Sequence, residues 1–205
     1  MPARPFVRRK LCRIAACAAA LVVSRSTWAQ SPRAVRIRAT IDAADASGIN
    51  LTTRSGQQLT VALASDTVIL AIVPFRLEDI KPGLFVGSAA MPQPDGTQRA
   101  LEVHVFPESM RGTGEGHSPF DLQPRSTMTN GTVTSNSGRG VTVRYPDGQK
   151  TIVVPADTPV VTFEPASRAL LVPGAHVIVM GTEAADGKLS ASHIFVGKDG
   201  LVPPM

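Results

Sequence analysis

From residue 35 onward the chain alternates apolar and polar positions in short runs punctuated by turn residues. Leu59, Val61 and Leu63, and again Leu101, Val103 and Val105, recur with a period of two, the spacing that brings every second side chain to one face of a strand. The pattern predicts strands near 35–42, 49–54, 58–63, 84–91 and 98–106, then near 129–135, 140–145, 150–155, 176–183 and 188–196. Asp147-Gly148 and Asp186-Gly187 are strong hairpin signals, because both central residues of a type I′ turn need positive φ. Between the third and fourth strand of each set lies a longer excursion, TVILAIVPFRLEDIKPG or TPVVTFEPASRALLVPG. Pro74, Pro159 and Pro165 oppose a long helix there, so one helical turn around Leu77–Ile80 and around Ala169–Leu171 is the expectation.

The two sets are copies of one unit. Residues 35–106 align with 129–197, and the punctuation aligns with them: Gly56 with Gly148, Asp66-Thr67 with Asp157-Thr158, Pro82-Gly83 with Pro173-Gly174, Asp95-Gly96 with Asp186-Gly187. Turn pairs at corresponding places mark a structural repeat. Three strands, an excursion and two strands is the order of the OB-fold, a small five-stranded barrel. The expected fold is therefore all-β, two tandem five-stranded OB-like barrels joined by an ordered connector. The expected division is 30–107 and 128–198 for the barrels, 108–127 for the connector and 199–205 for a tail. Each unit is small for a self-sufficient core, so stability must come from burying Val, Ile, Leu and Phe, at about 25 cal/mol per Å².

The repeated frame is a strand pair, Asp-Thr, a Leu-rich turn, x-Pro-Gly, a strand, Asp-Gly and a last strand with Ala-x-x-Val/Ile. It resembles OB-like repeat domains of secreted bacterial proteins, a family catalogued only as a domain of unknown function. The resemblance implies a β fold and secretion. Its motifs are turn signals, so it carries no catalytic residue across.

Residues 1–29 change the picture of charge. Arg4, Arg8, Arg9, Lys10 and Arg13 precede an apolar run from Ile14 to Val23, and Thr27-Trp28-Ala29 follows, the order of an export signal cleaved after Ala29. The run is half the roughly twenty residues that a membrane-spanning helix needs. Arg8-Arg9-Lys10-Leu11 also resembles part of a twin-arginine signal, and Ile14-Ala15-Ala16-Cys17 a lipoprotein box set on the wrong side of the apolar run. Taking the six cations of this segment from the 21 Lys+Arg leaves 15 against 16 Asp+Glu. The basic balance thus belongs to the signal, and no basic stripe is left to suggest nucleic acid. Cys12 and Cys17 leave with it, which removes disulfides, thiolate catalysis and Cys-ligated metals from the mature chain.

Candidate chemistry is sparse. No nucleophile elbow, Ser-x-x-Lys or His-Glu-x-x-His is present. GTGEG at 112–116 precedes Pro119 and opens no helix toward a phosphate. Glu102 and His104 lie two apart on a strand, and His193 aligns with Glu102 in the second copy, so these three could meet as a metal or base site. His117, with Glu115 and Asp121 nearby, is the other candidate, at the join of the copies. His176 aligns with Phe85 and is expected half-buried in the core.

The stretch RGTGEGHSPFDLQPRSTMTNG, 111–131, carries Phe120 and Leu122 between Pro119 and Pro124. Prolines lower the entropy that a connector loses on docking, so Phe120 and Leu122 are expected to pack into the crevice between barrels. The expected function is that of a secreted or periplasmic binding or scaffold protein, not an enzyme and without cofactor. Its partner would be an envelope protein, a peptide or a glycan. The alternative is a hydrolase or metal-binding protein with a site around His117.

Overall fold

A computed structural model describes Met1 and residues 31–205, so the export signal expected over residues 1–29 lies outside the described residues, apart from Met1. The described chain is all-β, with strands β1 (Arg33–Ala44), β2 (Gly48–Thr53), β3 (Gln58–Pro74), β4 (Phe85–Pro92), β5 (Gln98–Ala100), β6 (Val103–Val105), β7 (Gly116–Pro119), β8 (Thr127–Asn136), β9 (Gly140–Tyr145), β10 (Gly148–Val153), β11 (Val160–Pro165), β12 (His176–Glu183) and β13 (Leu189–Gly197). Single 3₁₀ turns at Leu77–Asp79 and Arg168–Leu170 fall where one helical turn was expected. No described helix is long and apolar enough to cross a membrane.

All thirteen strands belong to one large sheet. Its pairings return on themselves twice. In the first circuit β1 pairs with β2, β2 with β3, β3 in parallel with β13, β13 with β12, and β12 with β1. In the second, β8 pairs with β9, β9 with β10, β10 in parallel with β5, β5 with β4, and β4 with β8. Strand β11 joins the circuits, antiparallel to the end of β3 and parallel to β6.

This pairing corrects the tandem layout. Residues 30–107 and 128–198 do not each close on themselves. Strands β1–β3 of the first copy are completed by the last hairpin of the second, β12–β13, and β8–β10 of the second by β4–β5 of the first. The cause is visible in β3. Its run Ile69-Leu70-Ala71-Ile72 is buried and stays paired with β13 beyond a register shift at 63–68, so it delivers the chain into the other half of the molecule. A run apolar at successive positions suits a strand covered on both faces.

Three cores follow. Ile41, Ile49, Leu51, Val61, Val179 and Ile194 pack inside the first circuit, and Val86, Val103, Val133, Val143 and Ile152 inside the second. The third draws on both halves: Leu70, Ile72, Phe85, Phe106, Val161, Phe163, Ile178 and Phe195. Phe85–Phe106, Phe106–Phe163 and Phe163–Phe195 form a chain of tilted or edge-on contacts with centroids 5.3, 5.7 and 5.2 Å apart, each pair contributing about 0.5–1.5 kcal/mol beyond burial.

Candidate functional site

The fifth strand of the first copy is broken where Leu101 and Glu102 both turn their N–H to the Ala89 carbonyl oxygen, at 2.8 and 3.3 Å. Two residues opposing one is a β-bulge, a device that re-aims a side chain. Here it turns the Glu102 carboxylate inward, fully buried, to accept the Ala89 N–H at 2.7 Å and to meet His104 Nδ1 at 3.0 Å. His104 is itself buried, edge-on to Phe106 at 4.7 Å and near Phe163 at 5.6 Å.

The far side of the imidazole meets Gly87 and Asn130. The backbone register runs Asn130–Gly87–His104–Val161 across β8, β4, β6 and β11. A Cβ added to Gly87 would lie 2.2 Å from His104 Nε2 and 2.4 Å from Asn130 Oδ1. Asn130 Nδ2 donates to the Thr113 oxygen at 3.0 Å, while its Oδ1 is a buried acceptor without a partner. In the other circuit the same row reads Arg38–Ile178–Phe195–Leu70. Gly87 and Asn130 were missed as candidates; the signal for them is the aligned replacement of glycine by isoleucine and of asparagine by arginine.

The expected three-residue site does not assemble. His193 bonds Ser192 Oγ at 3.2 Å, stacks beside Phe195 at 6.4 Å and is exposed, whereas Glu102 and His104 are enclosed. His117, Glu115 and Asp121 likewise find separate surroundings. His117 Nδ1 lies 2.8 Å from Thr129 Oγ1 and its ring stacks on Tyr145 at 6.2 Å. Burial, and then the Lys150 charge, lowers its pKa. Glu115 is exposed. Asp121 accepts from Arg38 at 2.8 and 3.1 Å and from Arg36 at 3.2 Å; the Arg38 hydrogen bond is the main cause holding its carboxyl below the usual range. Among the described residues no three His, Cys, Asp or Glu are placed to hold a metal ion. His176 is half-buried as expected, with Nδ1 3.0 Å from Thr40 Oγ1.

An open groove lies elsewhere. It encloses about 680 Å³ on the outer face of the first circuit, between the β1–β2 and β12–β13 turns and over Asn50, Thr60 and Ala62. Asp45 at its rim is held ionised by the Ser47 side chain, then by the Ser47 and Gly48 N–H groups. Lys188 stands near the same rim, paired with Asp186 at 2.6 Å. Its walls are mostly apolar, from Ala43, Ala44, Ala62 and Leu189, with Ser47, Asn50, Thr60 and Ser190 offering uncharged hydrogen-bonding groups and no aromatic platform. The register aligns Ala62 with Val153 and Ser190 with Arg99 in the other circuit, where larger side chains stand in the corresponding place.

No curated protein and no solved structure matches the chain. Residues 130–194, most of the second sequence copy, match the family described as Domain of unknown function (DUF5666).

Proposed function

We propose that this is a non-catalytic binding or scaffold protein of the bacterial envelope, built from two OB-like barrels that exchange their last hairpins. The strand order 1-2-3-5-4-1 of each circuit, with strands three and five parallel, supports the OB-like reading. In that fold the outer face of strands two and three, with the loops 1–2 and 4–5, is the usual place for a ligand.

The observation that carries a binding role is the groove over Asn50, Thr60 and Ala62, which occupies that face in the first circuit. Its walls suit a neutral ligand, a peptide or a glycan, gripped through amide and hydroxyl groups. The titratable residues favour the same reading. Glu102 and His104 are enclosed beside the aromatic core, and His117 is spent on Thr129 and Tyr145, which leaves them scaffolding work. Export is supported by the order of residues 1–29.

The experiment is native mass spectrometry of the protein taken from its own cell envelope, with a variant carrying Ala62→Val and Ser190→Arg. These substitutions copy the other circuit and fill the groove. Bound mass on the parent and none on the variant supports the proposal. Equal loading of both, or hydrolytic turnover that His117→Ala abolishes, contradicts it.

A further inference from the structure

We propose a second binding site, independent of the groove over Asn50: the open edge of β1 at residues 34–37 takes an extended, acidic peptide segment as an added strand. The two circuits differ at this edge. In the second, β8 is flanked over 127–130 by β4 on one side and by β7 on the other. His117 of β7 reaches the hairpin between β9 and β10, where it stacks on Tyr145. In the first, β1 has β12 on one side, and β2 begins to pair only at Ala39. Among the described residues no strand lies along 33–38 on β2's side. The register equates Val35–Arg38 with Thr127–Asn130, so the vacancy is the place that β7 fills in the other half.

The edge offers what a strand needs. Arg38 accepts the Arg54 N–H through its carbonyl oxygen, so Arg38 turns its backbone groups toward β2's side. By the period of two, Arg36 and Ala34 do the same. Beside them lies a groove of about 420 Å³ lined by Ile37, Leu59 and Leu122, apolar, and by three arginines, Arg36, Arg38 and Arg54, against one carboxylate, Asp121. Main-chain bonds to a free edge supply affinity, and side-chain pockets supply selectivity.

The arginines choose the partner. Arg38 is committed, with Nε on the Met205 oxygen and NH1 and NH2 on Asp121. Arg36 uses one nitrogen on Asp121, and Arg54 one on the Pro203 oxygen. Both therefore keep unfilled donors toward the groove, and Asp121 shows that a carboxylate is accepted there. An occupant with an apolar residue over Ile37 and carboxylates beside it satisfies edge, floor and charge together.

The test uses the full chain and a short synthetic peptide of alternating Val and Glu. Controls carry Lys for Glu, or a methylated backbone that cannot pair. The Val/Glu peptide is expected to shift the amide resonances of Ala34–Ile37, and the controls to leave them unmoved. Arg36→Glu with Arg54→Glu should weaken binding about tenfold or more, since charge-assisted bonds are the strong ones. Arg36→Pro should abolish it while keeping the β1–β12 ladder, because proline at an edge removes only the outward N–H; if that variant does not fold, the double charge reversal decides. No binding, equal binding of the Lys peptide, shifts confined to the groove over Asn50, or slow hydrogen exchange of the Arg36 amide in the free protein would each overturn the proposal.

Discussion

Ile72 and Phe163 occupy the same position in the two sequence copies, and they face each other directly across the ladder between β3 and β11. A residue paired with its own counterpart marks a local two-fold axis. Around it the hairpins are exchanged, and on it the shared aromatic core is built. Both side chains are almost wholly buried. Phe163→Ala is expected to cost about 3–5 kcal/mol in urea unfolding and to lower both halves together in one transition. Two separate transitions, one of them unmoved, would contradict the shared core.

Gly87 is required by close approach, with an ordinary backbone. His104 and Asn130 occupy the volume that a side chain there would need. Gly87→Ala should destabilise by about 1–3 kcal/mol through overpacking. An unchanged unfolding midpoint would show that the two side chains can swing away freely.

Glu102 is the buried acceptor of the bulge. Glu102→Leu leaves the Ala89 N–H and His104 Nδ1 without their partner, and a buried polar group left unsatisfied costs about 1–3 kcal/mol. The double variant Glu102→Leu with His104→Phe, which removes both polar groups, should recover part of that loss. A double variant no more stable than the single would contradict the pair's coupling.

His117 sets a pH dependence whose sign follows from its lowered pKa. Folded His117 binds its proton later than the unfolded chain does on acidification. Its contribution is therefore present above about pH 6.5, the ordinary histidine value, and is lost as pH falls through the folded pKa. An NMR titration of the His117 ring should show a midpoint below the ordinary value; one at or above it would contradict the account.

Phe120 and Leu122, expected in the crevice between barrels, are half-buried. Phe120 lies under Arg36 and Arg38 at 4.8 and 5.8 Å, and Asp121 pairs with both. Exposed ion pairs are screened by salt. Proteolysis within 119–125 should quicken at high salt in the parent and be fast at all salts in Asp121→Asn. Salt-independent cleavage of the parent would contradict a charge-held connector.

The legible part of the fold was local. Asp-Gly, Pro-Gly and period-two runs placed β1, β2, β4, β9, β12 and their turns to within a residue or two, because such signals act between neighbours in sequence. Two kinds of feature lay outside that range. The extension of β3 through Ile72, and β11 opposite it, needs a partner more than eighty residues away, and Pro74 and Pro165 read as breaks although each only ends a strand. The choice of partner hairpin is also silent in the pattern, since β4–β5 and β12–β13 carry the same turns and could close either circuit. For the candidate site, the Glu102–His104 spacing was readable, but the bulge that turns Glu102 inward depends on Ala89 across the ladder.

The exchange of hairpins is tested most directly by cross-linking across the β1–β12 ladder. Arg36 faces Met180, in a pair whose Arg36 backbone groups point away from β12, the close-approach kind that suits a disulfide. A self-contained first copy would instead set Arg36 opposite Ala89, the residue aligned with Met180. In a background lacking Cys12 and Cys17, Arg36→Cys with Met180→Cys should oxidise readily to an intramolecular disulfide, read by intact mass. Arg36→Cys with Ala89→Cys should stay reduced. The reverse result, a bond to position 89 and none to 180, would contradict the exchanged fold.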